Sequence, residues 1–125
     1  MKIAYENIRQ KLKEIEKLAF KSFVDSRDYI CAVFALNVSE HDSDELGLLD
    51  RLRAKREISQ LRKKICNQAM LWETAQAEVA INRRGDFSTG QAFLEQAKEY
   101  ARMGCLELHP ATIRIEERII DYTNH

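Results

Sequence analysis

At 125 residues, 45% apolar and 32% charged, the chain is long enough to bury a core without metal or disulfide staples and lies far from disordered composition. Twenty basic side chains balance twenty acidic ones, so no whole-molecule field draws it to nucleic acid or an anionic membrane; such binding needs a local patch. One proline, Pro110, and four scattered glycines leave long stretches without helix breakers.

The first segment sets Tyr5, Ile8, Leu12, Ile15, Ala19 and Phe23 at steps of three and four, with Lys, Arg, Glu and Gln between them. That pattern predicts a one-sided helix of about five turns. Asp25-Ser26-Arg27-Asp28 then offers a cap or a bend. The run Tyr29 to Val38 is apolar on every side. Its composition also suits a strand, but a strand needs a partner and no other segment supplies one, so a short, deeply buried helix is expected. Ser39 to Gly47 is acidic and polar and reads as the connecting loop.

From about Leu48 to Asn82 no breaker interrupts the chain, and Ala54, Ile58, Leu61, Ile65, Gln68/Ala69, Trp72, Ala75 and Val79 recur at near-heptad spacing. This predicts one long amphipathic helix that organises the domain. Up to Lys64 only the Ala54/Ile58/Leu61 stripe is apolar, so this half should pack along one seam. From Ile65 onward Cys66, Met70, Ala77 and Ile81 add a second face, so that half should touch neighbours on two sides. Leu48, Leu49 and Leu52 fall off the stripe, which points to a kink or another packing partner near Arg53. Asn82-Arg83-Arg84-Gly85 ends the helix with cations at the negative end of its dipole and a glycine free to turn left-handed. Ser88-x-x-Gln91 has capping-box form and opens a fourth helix carrying Phe93, Ala97 and Tyr100 on one face, ending at Gly104. Pro110 suits the first turn of a last helix reaching about Tyr122.

Cys31, Cys66 and Cys105 are odd in number and form no CxxC pair, which reads as free thiols in a reducing compartment. Met1 to Asn7 carries charge where a signal peptide needs an apolar core, and no apolar run approaches the roughly 18 residues of a membrane span. A cytoplasmic location is expected.

The segment Arg51 to Lys64 concentrates Arg51, Arg53, Lys55, Arg56, Arg62, Lys63 and Lys64 against one acid, Glu57. Mobile cations at helical spacing suit a phosphate backbone, and Arg83 and Arg84 extend the patch. Against this, the cations wrap both flanks of the stripe. Glu40, Asp42, Asp44, Glu45 and Asp50 also lie just upstream, able to fold back and neutralise them.

Asp42-Ser43-Asp44-Glu45-Leu46-Gly47 resembles the opening of an EF-hand calcium loop. Leu46 at its fifth position has no ligand atom, and Arg53 stands where the closing Glu belongs. His41, His109 and His125 form no metal-binding spacing. Arg102 and His109 are separated like the catalytic pair of the HEPN ribonuclease family. Met103 stands where that family has a polar residue, and Gly104 and Pro110 break the helix between them, so no membership follows. Glu116, Glu117 and Asp121 lack a partner acidic motif for magnesium and sit beside Arg114 and Arg118 as helix-surface pairs. Met70, Trp72 and Tyr100 read as core ahead of a ligand pocket. There is no glycine-rich phosphate loop and no nucleophile elbow.

The sequence therefore predicts an all-α protein, a single domain over 1–125, with four or five helices in an up-and-down bundle around the long helix. The expected function is non-catalytic: protein–protein interaction or self-association through a seam of Ile8, Leu12, Ile15, Ala54, Ile58 and Leu61, most simply as a homodimer. The alternatives are a polyanion-binding regulator using the seven cations, and an enzyme with an unfamiliar site drawn from Arg102, Glu107, His109 and Glu116. No cofactor, metal or membrane contact is expected.

Overall fold

The computed structural model describes residues 4–124, so the charged N-terminus of the signal-peptide argument falls partly, and His125 wholly, outside the described residues. Five helices follow in order: α1 (Tyr5–Ala19), α2 (Ser26–Ser43), α3 (Leu48–Arg84), α4 (Phe87–Met103) and α5 (Pro110–Thr123). No strand occurs among the described residues, which settles the Tyr29–Val38 run as helical and the fold as an all-α bundle built on α3. Two compact units divide within α3: Met1–Ile65 and Cys66–His125.

In the first unit, α1 buries Tyr5, Ile8, Leu12, Ile15 and Ala19, and the start of α3 buries Ala54, Ile58, Leu61 and Ile65. Polar ties set the direction. Tyr5 donates to Glu57 Oε1 at 2.5 Å beneath the Arg53 guanidinium, and Lys64 lies 3.6 Å from Glu16, so α1 and α3 run parallel. Arg62 meets Glu40 at 2.8 Å and Lys55 meets Asp44 at 2.9 Å, which sets α2 antiparallel to α3. Burial first, and then the Glu57 bond, hold the Tyr5 phenol above its ordinary range.

Four expectations change here. The first helix stops at Ala19, and Phe23 is 89% exposed in the α1–α2 connection. Ser39 to Ser43 belong to α2 and not to a loop. Ser39 and Ser43 are buried, Ser43 returns its hydroxyl to the Glu40 carbonyl at 2.6 Å, and buried Leu46 pins the turn that follows. The α2 run is not buried all round, as described below. Its N-cap is as read: Asp25 accepts from the Asp28 backbone N–H at 3.0 Å, and the Asp28 carboxylate accepts from the Asp25 N–H at 3.2 Å. The helix α3 passes Arg53 without interruption, with Leu48, Leu49 and Leu52 exposed.

In the second unit the buried positions of α3 move off the extrapolated heptad line. Cys66, Ala69, Met70, Glu73, Thr74, Ala77, Ala80 and Ile81 are buried, whereas Gln68 and Ala75 are exposed and Trp72 and Val79 half-buried. Neighbouring helices explain the move. The Thr74 and Thr112 hydroxyls meet at 2.7 Å, Arg118 donates to Asn82, and Ala77, Ile81, Leu94, Ile115 and Ile119 form a cluster capped by Phe87 and Phe93. Arg118 beside Asn82 and Thr112 beside Thr74 make α5 parallel to α3, with α4 returning between them in sequence. Asp86, rather than Ser88, caps α4, accepting from the Thr89 N–H and hydroxyl at 3.0 and 2.6 Å. Gly85 takes the left-handed φ of 61° that the α3 terminus required.

Gly90 lies tightly against α3: a Cβ there would lie 2.6 Å from Ile81 Cγ1. We expect Gly90→Ala to lower the urea midpoint, because overpacking outweighs the helix propensity gained, for a net loss of about 1 kcal/mol. An unchanged or raised midpoint would contradict this packing. A second expectation concerns acid. The Asp25 backbone N–H, then Lys21, hold the Asp28 carboxyl below its usual range, and the Thr89 hydroxyl and N–H do the same for Asp86. Folded values below the unfolded value of about 3.9 confer stability that is present above that pH and lost as pH falls through the depressed values. Unfolding midpoints should stay flat above about pH 5 and drop below about pH 4. The double variant Asp28→Ala/Asp86→Ala should be less stable at pH 7 with a shallower acid limb; an unaltered limb would remove the assignment.

Candidate functional site

The α2 helix has two apolar faces. Tyr29, Ala32, Val33, Leu36, Ser39 and Ser43 point into the first unit. On the outer side Ile30, Phe34 and Val38 follow one another at single-turn spacing and are 54, 68 and 39% exposed. One side of this strip slopes into a groove of about 350 Å³ between α1 and α2, lined by Ile15, Leu18, Ala35 and Val38, with Lys11 and Glu14 as its charged members. Exposed Cys31 lies beside the strip and Phe23 precedes the N-cap by two residues. Scattered surface apolar residues are ordinary, but three large ones in one row next to an apolar groove form the kind of patch that marks association.

Lys11 and Glu14 of α1 border the middle of this strip, and Asp25 caps its N-terminal end; the unengaged charges of α2 and the turn after it divide by end. Arg27 is exposed at the N-terminal end, and Asp42 and Glu45 stand at the C-terminal end; none of the three joins an ion pair or side-chain hydrogen bond among the described residues. Their neighbours are engaged: Asp28 with Lys21 at 3.2 Å, Glu40 with Arg62, and Asp44 with Lys55.

The seam read from the sequence lies inside the chain. Ile8, Leu12, Ile15, Ala54, Ile58 and Leu61 are all buried in the first unit, so contact with another molecule has to use other residues.

The basic segment is largely engaged as well. Arg51 donates to the Leu46 carbonyl at 3.3 Å, Arg53 lies over Tyr5 and 3.8 Å from Glu57, Lys55 and Arg62 bind the acids of the α2 C-terminus, and Lys64 reaches Glu16 and the Phe20 ring. Lys55 and hydrogen bonding from it hold the Asp44 carboxyl low. Arg56 and Lys63 remain exposed without such a partner among the described residues. Two of the five upstream acids, Glu40 and Asp44, fold back onto these cations. The EF-hand-like segment is thereby divided between the end of α2 and a turn whose Asp44 faces a lysine. No group of three His, Cys, Asp or Glu side chains fit to hold a metal occurs among the described residues.

The four residues weighed for catalysis do not converge. His109 caps α5, its Nδ1 accepting from the Ala111 N–H at 3.1 Å. Glu116 holds Lys98 at 2.6 Å and raises the lysine pKa. Arg102 pairs with Glu99 on its own helix, and Glu107 is exposed. Met70 and Tyr100 are core residues and Trp72 is half-buried. Sequence reasoning missed Glu73, 1% exposed in the second unit; its only signal was an acid in phase with Ala69, Ala77 and Ala80.

With five of seven cations engaged, nucleic acid should be held weakly. A mobility shift at low salt should disappear by about 0.1–0.2 M salt, with the slope of only a few phosphate contacts. Retention at 0.2 M salt that is lost on Arg56→Glu/Lys63→Glu would contradict this.

No protein-family model matches the sequence, and neither a curated protein nor a solved structure is found to be similar to it.

Proposed function

We propose that the protein is a non-catalytic helical interaction protein that docks a protein partner on the outer face of α2. The observation that carries this reading is the row Ile30, Phe34 and Val38, exposed beside an apolar groove. Covering such side chains removes apolar area from water at about 25 cal/mol per Å², and an aromatic side chain at the centre of a patch is the usual anchor. The free thiols, two of them exposed, favour a reducing compartment, and the proposed location is the cytoplasm. No helix among the described residues is long and apolar enough to cross a membrane. No cofactor enters the proposal.

The test compares tagged wild-type protein with Phe34→Glu in native lysate, alongside circular dichroism and unfolding of both. The expected result is that proteins retained by the wild type, added untagged copies included, are lost from the variant while its helicity and unfolding midpoint stay unchanged. Equal retention by both would remove the reading.

A further inference from the structure

We infer that the occupant of the α2 face is a second copy of this chain, packed two-fold and antiparallel, α2 against α2. The inference rests on the reading of that face as a docking surface and deepens it by naming the partner. Its first support is the distribution of charge. The strip carries an unengaged cation, Arg27, at one end and unengaged acids, Asp42 and Glu45, at the other. A two-fold axis near Phe34 sets Ile30 opposite Val38 of the second copy and stacks the two Phe34 side chains about the axis. It also brings Arg27 of each copy to the Asp42/Glu45 end of the other. One self-complementary pattern thus satisfies both ends, as an isologous contact requires. Parallel pairing would set Arg27 against Arg27 and acids against acids. The antiparallel arrangement also opposes the two helix dipoles.

The second support is area. Ile30, Phe34 and Val38 together expose on the order of 300 Å². Doubled by symmetry the strip alone reaches about 600 Å², the range of a weak, transient contact. A weak, reversible association is expected, tunable by charges at the rim. An anionic membrane is a poor occupant for the same strip, because it favours cations along the polar margin of an apolar face and here acids hold one end.

Sedimentation equilibrium of the purified chain at ten to a few hundred micromolar tests the inference. Wild type should approach dimer mass and Phe34→Glu should be monomeric. Arg27→Glu alone, and Asp42→Lys/Glu45→Lys together, should each weaken dimerisation about tenfold, while combining all three substitutions should restore it to within about threefold of wild type. A wild-type monomer across the range, or weakening without restoration, overturns the antiparallel second copy. If the wild type is monomeric yet Phe34-dependent capture from lysate persists, the docking surface stands and only this partner is rejected. If capture does not depend on Phe34, the docking reading falls and takes the inference with it.

Discussion

The first unit depends on burying two narrow apolar stripes, Ile8/Leu12/Ile15 on α1 and Ala54/Ile58/Leu61 on α3, within a single chain. The two helices are held parallel by the Tyr5–Glu57 bond and by Lys64 reaching Glu16, so neither stripe is available for another molecule. The third helix of the unit then has a surplus. One face of α2 completes the core with Tyr29, Val33 and Leu36, and among the described residues its outer apolar residues Ile30, Phe34 and Val38 are left exposed. The candidate docking surface is what is left after the internal seam closes.

Electrostatics follows the same geometry. Because α2 runs antiparallel to α3, its acidic C-terminus arrives beside the basic segment of α3, where Glu40 and Asp44 meet Arg62 and Lys55. These pairs are part-exposed, so each contributes little to stability. Their larger consequence is functional, since they withdraw cations from the pool open to a polyanion. The same arrangement leaves unlike charges at opposite ends of the α2 strip, which is the asymmetry an antiparallel self-contact needs.

Much of the architecture was legible in the sequence. Three-and-four spacing located α1, the absence of breakers from Leu48 onward gave the length of α3, and Gly85 and Pro110 marked where helices end and begin. The misreadings have physical causes. A run apolar all round such as Tyr29–Val38 carries no amphipathic signal, so its exposed side was invisible until its neighbours were placed. Ser39 and Ser43 look like loop residues but are small enough to face inward, which carried α2 five residues past Val38. Beyond Ile65 the second face read from Cys66, Met70, Ala77 and Ile81 is the buried one, whereas Trp72, Ala75 and Val79 of the line drawn from Ala54 are not, because α4 and α5 pack on that second face. The Asp86 cap was hidden because Ser88 and Gln91 offered a pattern of equal quality two residues later. The candidate site was accordingly the least legible part: its seam residues proved internal, and the outer strip emerged from what the fold does not cover.

The central claim is that Phe34 is covered by the Ile30–Phe34–Val38 row of another copy. Isotope-filtered NMR on a mixture of labelled and unlabelled chains tests it most directly. The account predicts intermolecular contacts from the Phe34 ring to Ile30 and Val38 methyl groups. If the ring contacts only side chains of its own chain at concentrations of several hundred micromolar, the account is contradicted.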